Sequence, residues 1–365
     1  MRIFAFHLLN DYSGSPKVLG QLLKGWVQAG FDVHMVTCSG RTGFLSDIPG
    51  VHYRYFWYRW AANPWLRLLH LVWSQVLLFW GLVFVVRRGD MVYINTVLPF
   101  GAAFLGKIKG CTVIYHFHET SMKPVLLKKI LFGIAKWAAH EVIYVSHYLA
   151  AQEPFPATRS HVLYNAIEPD FATKAARYRR PHPASPTNVL MVCSLKDYKG
   201  TREFLQLAAD HPGYQFRLVV NASASDMEVW LGGATLPDNI QLFPTQTDVH
   251  PFYQWAHVVV NLSRPDGWIE TFGLTIIEGM AYGLPAIVPP VGGITELVEE
   301  GKNGYLVDSR DRALLNQRLQ AMMQDQAIYE QMSQAASAKI LAFDESAFLA
   351  ENLRILNQAK RGSFL

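Results

Sequence analysis

Short apolar runs alternate with longer helical stretches along most of the chain. Six strand-like runs precede residue 166, at residues 3–9, 32–37, 91–95, 112–117, 141–146 and 161–165. Six more follow, at residues 189–193, 216–220, 240–242, 258–262, 286–288 and 305–307. This alternation is typical of parallel sheets whose two faces are covered by helices. The pattern therefore predicts an α/β fold with two successive sheets.

The segment between the two sets of runs has no core periodicity. Residues 172–187, ATKAARYRRPHPASPT, are rich in proline and basic side chains, which is typical of a linker. A length of 365 residues also suits two domains better than one. We therefore expect an N-terminal domain over 1–171, a linker over 172–187, a second domain over 188–342 and a terminal helix within 343–365. The apolar side of that helix consists of Phe348, Leu349, Leu353 and Leu356.

Charge is distributed unevenly between the two halves. Residues 1–180 contain 20 Lys and Arg against 9 Asp and Glu, a net charge of +11, whereas residues 181–365 contain 13 against 20, a net charge of −7. This asymmetry indicates an anionic partner for the first half. Nucleic acid would fit the sign, but no recognition motif accompanies the basic residues, which are interleaved with apolar runs. An anionic membrane surface fits better.

Cysteine usage and the first residues bear on the location of the chain. Cys38, Cys111 and Cys193 lie far apart in the sequence, which gives neither a disulfide framework nor a zinc-binding pattern. The run MRIFAFHLL lacks the three regions of a signal peptide and predicts a buried first strand. We therefore expect a cytoplasmic chain in a reducing compartment.

Two segments of the first half could contact a membrane. Residues 68–86 carry no formal charge and nearly reach the ~20 residues of a spanning helix. A single span would separate strands that should share one sheet, so the open alternatives are a buried crossover helix and a helix partly sunk in the membrane interface. Residues 122–139 form a basic amphipathic helix, for which an ordinary solvated face is the alternative. Tryptophans favour the interface, since indole rings prefer the headgroup level; they are Trp57, Trp60, Trp65, Trp73 and Trp80.

Candidate chemistry is concentrated in residues 261–285, NLSRPDGWIETFGLTIIEGMAYGLP. Glu270 and Glu278 stand eight positions apart on either side of a turn that opens an apolar helical run. The turn consists of Phe272, Gly273 and Leu274. Its glycine allows a ligand to approach the backbone closely, and the first N–H groups of the helix can bind an anion. Two carboxylates can bind hydroxyls beside that anion, so the constellation suits a phosphorylated sugar.

This constellation resembles the C-terminal signature of the retaining glycosyltransferases of family four. The resemblance continues downstream, in the family's order and spacing, through Pro285, the pair Gly292-Gly293, Glu296 and the turn at 301–307. It implies the GT-B fold, in which two Rossmann-like domains face each other across a cleft. In that fold the last helix returns to the first domain.

The resemblance also implies roles for residues of the second domain. Glu278 would hold the ribose of a nucleotide sugar, and Glu270 the hydroxyls of the transferred sugar. Lys199, before a helix predicted over 201–209, matches the family's donor-phosphate lysine, whose charge would add to that of the amides around Gly273. The donor-binding turn is completed by Phe272 and Leu274.

One part of the second domain departs from the family. Many members have Gly-Arg where this chain has Cys193-Ser194, and that arginine shares the donor phosphates with the lysine. Ser194 can give only a hydroxyl hydrogen bond. We expect Lys196 or Arg264 to supply the missing charge, because both are close in sequence to the motifs.

The first domain offers a small-residue loop after its first strand. Ser13, Gly14 and Ser15 precede a helix predicted over 18–29. Small residues at such a turn let backbone amides approach a leaving phosphate or an acceptor. In the family, the corresponding turn lines the cleft.

A second candidate site in the first domain is the end of the strand at 112–117. The run YHFHET, residues 115–120, resembles the family's strand that ends in His-Glu, and the resemblance assigns the cleft histidine to His118. By alternation, His116 points to the same face of the sheet, so the choice between the two histidines stays open. Ligands of open α/β sheets generally lie at such strand ends.

The resemblance implies transfer of one sugar from a nucleotide-sugar donor, with retention of configuration, to a lipid-linked or polysaccharide acceptor in bacterial surface-glycan assembly. The expected catalytic set is His118, Glu270 and Lys199. No Asp-x-Asp triplet occurs in the chain, so we expect no metal and no cofactor, with positive side chains and helix dipoles stabilising the leaving diphosphate. With the membrane-directed features, this predicts a peripheral enzyme on the inner face of the plasma membrane. Two alternatives stay open: a GT-B phosphorylase or epimerase acting on soluble sugars, and an inactive nucleotide-sugar-binding scaffold, suggested by the missing arginine.

Overall fold

A computed structural model describes residues 1–178 and 186–362 of the chain. These residues form two compact α/β units. Unit 1 comprises Met1–Tyr164 together with the C-terminal segment from Ser346, and unit 2 comprises Asn165–Glu345. The predicted α/β class with two successive sheets is confirmed.

Unit 1 contains a seven-stranded parallel sheet. Its strands are β1 (Arg2–Phe6), β2 (Asp32–Cys38), β3 (Val51–Phe56), β4 (Met91–Asn95), β5 (Thr112–Phe117), β6 (Glu141–Tyr144) and β7 (Arg159–Val162). The order across the sheet is β3-β2-β1-β4-β5-β6-β7, and all neighbouring pairs are parallel. The helices between them are α1 (Gly14–Gln28), α2 (Pro64–Leu82), α3 (Phe100–Ile108), α4 (Val125–Ala138) and α5 (His147–Gln152). The strand order reverses between β1 and β4, which makes their C-terminal ends a topological switch point.

The strands of unit 1 differ in how much of their surface is buried. Every residue of β4, β5 and β6 is buried, which explains the near-continuous apolar runs of the sequence. The edge strand β3, VHYRYF, has one buried residue, Phe56. The sequence pattern did not predict β3, because an edge strand with so little buried surface lacks an apolar run.

Unit 2 contains a six-stranded parallel sheet. Its strands are β8 (Asn188–Ser194), β9 (Gln215–Asn221), β10 (Ile240–Phe243), β11 (Val258–Val260), β12 (Ala286–Val288) and β13 (Gly304–Leu306), in the order β10-β9-β8-β11-β12-β13. Its helices are α6 (Pro169–Tyr178), α7 (Thr201–Asp210), α8 (Ala224–Leu231), α9 (His250–Trp255), α10 (Leu274–Ala281), α11 (Arg312–Gln324) and α12 (Gln326–Lys339). The switch point lies between β8 and β11.

The C-terminal helix α13 (Glu345–Gly362) packs on unit 1. The Nε1 atom of Trp26 donates to Oδ1 of Asn352 at 2.9 Å, and both side chains are fully buried. A Cβ atom on Gly25 would lie 2.6 Å from Cδ2 of Leu349, so the absence of a side chain there lets the helix approach α1. The predicted return of the last helix to the first domain is confirmed.

The boundaries between the units differ from those predicted. Unit 2 begins at residue 165, and Ile167 N donates to Phe343 O at 2.9 Å near its end. The first part of the predicted linker, 172–187, belongs to α6, where Phe171 and Ala175 are buried. Residues 179–185 of that linker lie outside the described residues. Two buried side chains one turn apart give too little periodicity to reveal a helix in a basic, proline-rich segment.

Helix α2 is the crossover between β3 and β4. Asn63 caps it, since its Oδ1 atom accepts from the N–H groups of Trp65 at 2.9 Å and Leu66 at 3.3 Å, and Pro64 occupies the first turn. By length and composition the helix could cross a membrane, and 28% of the residues in its most apolar stretch are buried. Its two flanking strands belong to one sheet, so α2 stays beside that sheet.

Candidate active site

Polar side chains gather at the switch point of unit 2. Strand β8 ends at Ser194, and a short 3-10 turn, Asp197–Lys199, leads from it to α7. Strand β11 is followed by the loop at 261–273 and then by α10. Because β8 and β11 are parallel neighbours, the two loops leave the sheet side by side. Open α/β sheets bind ligands at this position.

An ion pair joins the two loops. Nζ of Lys199 lies 2.5 Å from Oε1 of Glu270, and Oγ of Ser263 donates to the same oxygen at 2.6 Å. Both charged side chains are 14% exposed. The N–H group of Ser263 donates to Oδ1 of Asn261 at 3.0 Å, which fixes the serine. Two residues expected from the sequence are thus brought together, and Ser263 joins them.

This pair keeps Glu270 ionised. Burial raises the pKa of the Glu270 carboxyl, but the charge of Lys199 and hydrogen bonds from Lys199, Ser263 and Asn261 together lower that pKa below its ordinary value. The site therefore presents a cation and a carboxylate side by side at neutral pH. A cation complements a phosphate, and a carboxylate complements a hydroxyl.

Two glycines allow the backbone segments of the site to meet. Gly200 has φ +78°, and a Cβ atom there would lie 2.1 Å from the carbonyl oxygen of Leu262. Gly292 has φ +110°, and its Cβ would lie 2.4 Å from the carbonyl oxygen of Glu270. A side chain at Gly200 would push the Lys199 turn away from the loop that follows β11. Close backbone packing therefore sets the separation of the ion pair.

An aromatic pair also holds the two loops together. The rings of Tyr198 and Trp268 stack with centroids 5.6 Å apart and an interplanar angle of 17°. Nζ of Lys199 lies 5.0 Å from the centroid of the Trp268 ring, which is a cation–π contact. The N–H group of Arg264 donates to the carbonyl oxygen of Tyr198 at 2.7 Å. Lys199 is therefore held in place by protein contacts.

The turn before α10 has the conformation that its glycine suggests. Gly273 has φ +133° and directly precedes Leu274, the first residue of α10. Phe272 is 3% exposed and packs edge-on against Phe343, with ring centroids 5.8 Å apart. No side chain caps the helix, and the first N–H groups of a helix have no intrahelical partner. The helix starts where the sequence predicts, and its start can bind an anion.

Glu278 lies within α10 and is 5% exposed. Its Oε2 atom accepts from the hydroxyl of Tyr253, on α9, at 2.7 Å. Burial raises the pKa of the Tyr253 phenol well above its ordinary value, and the nearby Glu278 carboxylate raises it further. Tyr253 therefore stays protonated and donates to Glu278.

Ser194, Lys196 and Arg264, which the sequence places near the donor phosphates, differ in their burial and in their contacts. Ser194 is half-buried at the end of β8. The guanidinium of Arg264 lies 3.5 Å from Oε1 of Glu203, on α7. Lys196 is exposed. In the structure, Arg264 therefore forms an ion pair with a carboxylate of α7, and the side chain of Lys196 is exposed to solvent.

A second polar cluster lies at the switch point of unit 1. Nε2 of His118 donates to Oδ1 of Asn95 at 2.8 Å. Nδ2 of Asn95 lies 3.1 Å from Nδ1 of His7 and donates to the carbonyl oxygen of Ser15 at 3.1 Å. These residues follow or end strands β5, β4 and β1. The predicted histidine is therefore joined by Asn95 and His7, for which the sequence motifs gave no prediction.

The two histidines of β5 and its exit have different environments. His116 is fully buried, with Nδ1 2.9 Å from the hydroxyl of Tyr93, whereas His118 is half-buried. Their ring centroids are 4.3 Å apart. Burial lowers the pKa of His116 to about 3 and, with the charges of His116 and His7, lowers the pKa of His118 well below its ordinary value. Both rings are therefore neutral at pH 7, and His118 is the one that reaches the surface.

Glu119 ties the exits of β4 and β5 together. Its Oε1 atom accepts from the N–H group of Val97 at 2.8 Å, and its Oε2 atom accepts from the N–H group of His118 at 3.3 Å. Burial raises the pKa of this carboxyl to about 7, although the backbone hydrogen bonds lower it. The position of His118 therefore depends on a carboxyl that titrates near neutral pH.

The predicted small-residue loop is partly helical. Helix α1 begins at Gly14 rather than at residue 18, so Gly14 and Ser15 lie in its first turn. Pro16 is compatible with a first turn, where its missing N–H group has no intrahelical acceptor. Ser13 is the N-cap, and its N–H and Oγ groups donate to Oδ1 of Asp11 at 3.0 and 2.5 Å. The turn is linked to the His118 cluster through the hydrogen bond to Ser15.

The sequence carried a usable signal for some of the residues that it did not single out. His7, Asn95 and Ser263 are polar residues at or just beyond the ends of buried strands. Polar residues at such positions can be read from the sequence once the strands are assigned. Tyr253 gave no such signal, because only the packing of α9 places it beside Glu278.

Neither cluster supplies a set of metal ligands. Within residues 1–178 and 186–362, no group of three or more His, Cys, Asp or Glu side chains is placed to hold a metal ion. The three cysteines have free thiols. Burial raises the pKa of Cys193, before the Lys199 turn, to about 12, so this thiol is uncharged at neutral pH.

Comparison with known proteins gives two matching family models. Residues 12–171 match the model described as Glycosyltransferase Family 4, and residues 174–339 match the model described as Glycosyl transferases group 1. A D-inositol 3-phosphate glycosyltransferase of Pseudarthrobacter chlorophenolicus is 26% identical over 219 residues, which are 56% of this chain and 50% of that protein. The chain spans about a fifth to about half of the length of the first curated relatives that it matches.

Solved structures match over nearly the whole chain. Anabaena Alr3699/HepE in complex with UDP-glucose superposes with a TM-score of 0.79 at 18% identity, over 98% of this chain and 100% of that one. WaaG, a glycosyltransferase involved in lipopolysaccharide biosynthesis, superposes with a TM-score of 0.73 at 12% identity, over 97% and 99%. At these identities the likeness establishes the fold.

Proposed function

The chain belongs to the group 1 glycosyltransferases of family 4, which have the GT-B fold, and we propose that it transfers one sugar from a nucleotide-sugar donor to an acceptor hydroxyl. The observation that carries this proposal is the Lys199–Glu270 pair at the switch point of unit 2. A sugar diphosphate has anionic oxygens next to hydroxyls, and this pair offers a cation next to a carboxylate. The presence of UDP-glucose in a structure of similar fold is in keeping with such a donor.

In the proposed reaction, the bond between the anomeric carbon and the phosphate oxygen breaks, and its electron pair leaves with the nucleoside diphosphate. The acceptor oxygen forms the new bond to that carbon, and its proton passes to the leaving phosphate. Attack from the face of the leaving group retains the anomeric configuration, as the family resemblance implies. Lys199 and the first N–H groups of α10 stabilise the negative charge that develops on the leaving group.

The remaining residues bind and orient the substrates in this proposal. Glu278 accepts hydrogen bonds from the ribose, and the ionised Glu270 accepts them from the transferred sugar. In this proposal, the ring of His118 in unit 1, which is neutral at pH 7, contacts a substrate. We propose that no metal or other cofactor is needed, because Lys199 and the α10 dipole provide the positive charge.

A nucleotide screen tests the donor site. UDP, ADP, GDP and their glucose or mannose conjugates are added at saturating concentration, and the melting temperature is measured. One conjugate should raise the melting temperature of the wild type and of Lys302→Met, whose lysine pairs with Glu299 on the surface, but not of Lys199→Met. Stabilisation of Lys199→Met equal to that of the wild type would refute the phosphate role.

Turnover separates the transferase from the two alternative functions. Release of nucleoside diphosphate in the presence of EDTA and of a sugar acceptor, with an unchanged anomeric configuration by NMR, is the expected result. Binding without turnover on any acceptor would indicate a scaffold. Formation of a sugar phosphate from inorganic phosphate would indicate a phosphorylase, and interconversion of the donor sugar would indicate an epimerase.

We propose further that unit 1 binds the cytoplasmic face of an anionic membrane, where a lipid-linked or growing glycan acceptor is found. Helix α3 packs against both α2 and α4, so the three helices are neighbours on one side of unit 1. Their outer faces expose large apolar side chains, which are Trp65 at 79%, Leu69 at 63%, Trp73 at 54%, Trp80 at 64%, Ile108 at 63%, Leu126 at 69% and Trp137 at 50%. Aromatic side chains of this kind suit the membrane interface.

The charges near this apolar surface match an anionic bilayer. Exposed basic residues lie on α3 and α4 or close to the ends of α2 and α4 in sequence, namely Arg87, Arg88, Lys107, Lys123, Lys129 and Lys136. Residues 57–139 contain two acidic side chains, Asp90, which pairs with Arg2, and Glu119, which accepts backbone hydrogen bonds. A basic surface rich in tryptophan gains both apolar burial and attraction to anionic lipids. The WaaG match adds a surface-glycan precedent.

Vesicle co-sedimentation tests the membrane proposal. The wild type should bind phosphatidylglycerol vesicles and be released by salt, and should bind phosphatidylcholine vesicles less. Trp73→Ser/Trp80→Ser should lose binding, whereas Val229→Ser, a control that is 82% exposed on α8 of unit 2, should not. Equal binding by all three proteins would refute the assignment of this surface. A polyprenyl-diphosphate-linked sugar should be a better acceptor than the free sugar.

A further inference from the structure

Tyr253 occupies a position that the proposed reaction does not explain. Its ring is fully buried, and its hydroxyl lies 2.7 Å from Oε2 of Glu278 and 3.2 Å from the carbonyl oxygen of Thr275. Both acceptors belong to α10, whereas Tyr253 belongs to α9. The hydroxyl of Tyr253 thus links the Glu278 carboxylate to α9. No other residue of α9 belongs to the candidate active site.

The ring of Tyr253 cannot easily leave this position. It stacks on Tyr282, with centroids 6.0 Å apart and an angle of 17°, and meets Phe171 of α6 edge-on at 6.1 Å. The hydroxyl of Tyr282 lies 2.7 Å from Nδ1 of His250, and the stacking of the two rings does not require that hydroxyl. Close packing of this kind restricts the tyrosine to one rotamer.

The backbone that carries Glu278 is equally fixed. Gly279, the next residue, lies so close to β11 that a Cβ atom there would meet Cγ1 of Val259 at 2.7 Å. Ile277 and Met280 are fully buried on either side. The start of the Glu278 side chain is thus held by the helix, and its Oε2 atom is held by the hydroxyl of Tyr253.

We propose that Tyr253 is a positioning residue that orients Glu278 toward the ribose hydroxyls and so makes the donor site selective for ribonucleotides; this rests on the ribose role of Glu278 in the proposed function. A carboxylate on a flexible side chain would adopt other rotamers and bind the two hydroxyls less well. A carboxylate held by a phenol is pre-organised for them. A purely structural role would stabilise α10 without affecting the choice of nucleotide.

Nucleotides with and without ribose hydroxyls test this role. Affinities of UDP and 2′,3′-dideoxy-UDP, and of the corresponding adenosine and guanosine pairs, are measured by calorimetry. The wild type should prefer the ribonucleotide, and Tyr253→Phe should reduce that preference by about 10-fold, as expected when one hydrogen bond to a charged group is lost. Because the substitution keeps the ring, affinity for the dideoxy nucleotide should be unchanged.

Matched variants separate positioning from stability. Tyr282→Phe removes a hydroxyl from the same aromatic cluster, where it contacts His250, and should leave the ribose preference intact. Glu278→Gln should lose the preference, and adding Tyr253→Phe to it should have no further effect. If Tyr253→Phe does not fold, Phe171→Leu loosens the same ring and should give a smaller reduction.

The outcomes distinguish the two proposals. Failure of every nucleotide to bind the wild type would overturn the proposed function. An unchanged preference in Glu278→Gln would overturn the ribose role of that residue. Loss of preference in Glu278→Gln, with the full preference kept in Tyr253→Phe, would overturn the positioning role of Tyr253 alone.

Discussion

Replacing Lys199 by methionine should make unit 2 less stable, and the loss should depend on pH. The substitution keeps most of the side-chain volume but removes the cation that lies 2.5 Å from Glu270, both side chains being 14% exposed. Breaking a buried ion pair costs about 3–5 kcal/mol, and the remaining solvent contact places this pair near about 3 kcal/mol. For a unit of this size, the melting temperature should fall by about 6–12 °C at neutral pH.

The sign of the pH dependence follows from the pKa of Glu270. That pKa is lowered in the wild type, so the ionised carboxyl stabilises the fold above its ordinary pKa, and this contribution is lost as the pH falls through the lowered value. Without Lys199, burial is opposed only by the hydrogen bonds from Ser263 and Asn261, so we expect the pKa of Glu270 to rise above its ordinary value. The variant then loses stability as the pH rises from the ordinary pKa to the raised one, so its deficit should be larger at about pH 7.5 than at about pH 5.

Calorimetric unfolding of the wild type, Lys199→Met and Lys302→Met at both pH values measures this effect. Lys302 also pairs with a glutamate, Glu299, at 2.8 Å, but the two side chains are 63% and 48% exposed. Its removal should cost less than about 1 kcal/mol. If Lys199→Met lost the same stability relative to the wild type at both pH values, the ionisation of buried Glu270 would not destabilise the variant, and the reasoning would be wrong.

Two further substitutions test the geometry of the two clusters. Glu119→Gln should become more stable relative to the wild type as the pH rises from about 5 to about 8. The pKa of Glu119 is raised to about 7, so ionisation of this carboxyl destabilises the folded wild type. The melting temperatures of both proteins, measured against pH, check this, and parallel curves would contradict it. Gly200→Ala should weaken nucleotide binding and destabilise unit 2 by more than the ~1–2 kcal/mol of left-handed backbone strain, since its Cβ would meet Leu262 O at 2.1 Å. Gly233→Ala is the control for backbone strain alone, because Gly233 has φ +79° and a Cβ atom there would meet nothing within 4 Å. Equal losses of stability for the two variants in calorimetry would refute the packing argument.

The fold could be predicted wherever buried surface leaves a pattern in the sequence. Strands β4 to β6 are buried on all sides and read as apolar runs, whereas β3 has one buried residue and was missed. The same reason applies to α6, in which Phe171 and Ala175 alone are buried. Elements that bury little surface depend on contacts distant in sequence, which single-sequence periodicity does not contain.

The sequence identified residues of the candidate site, but it did not predict the contacts between them. Lys199 and Glu270 were identified from the motifs, 71 positions apart, but their ion pair arises from the packing of Gly200 on the loop after β11. Arg264 was expected to provide charge at the phosphates because it is near the motif in sequence; its guanidinium pairs with Glu203, a contact that the sequence did not indicate, and the phosphate role stays a prediction. Nearness in sequence does not determine which carboxylate an arginine meets.

In the proposed function, the pairing of Arg264 with Glu203 bears on how the site would bind a diphosphate, because the resemblance implies an arginine there in many members of the family. An ammonium group has three N–H donors, whereas the contact with Glu270 uses one. Lys199 can therefore donate to Glu270 and to a phosphate oxygen together, and Trp268 keeps its Nζ atom in place without using a donor. A donor that binds as proposed need not break the ion pair, so Glu270 would stay ionised and available to the hydroxyls of the sugar. On the proposed donor role of this site, the missing arginine would lower the positive charge at the phosphates without disturbing the arrangement of the carboxylate.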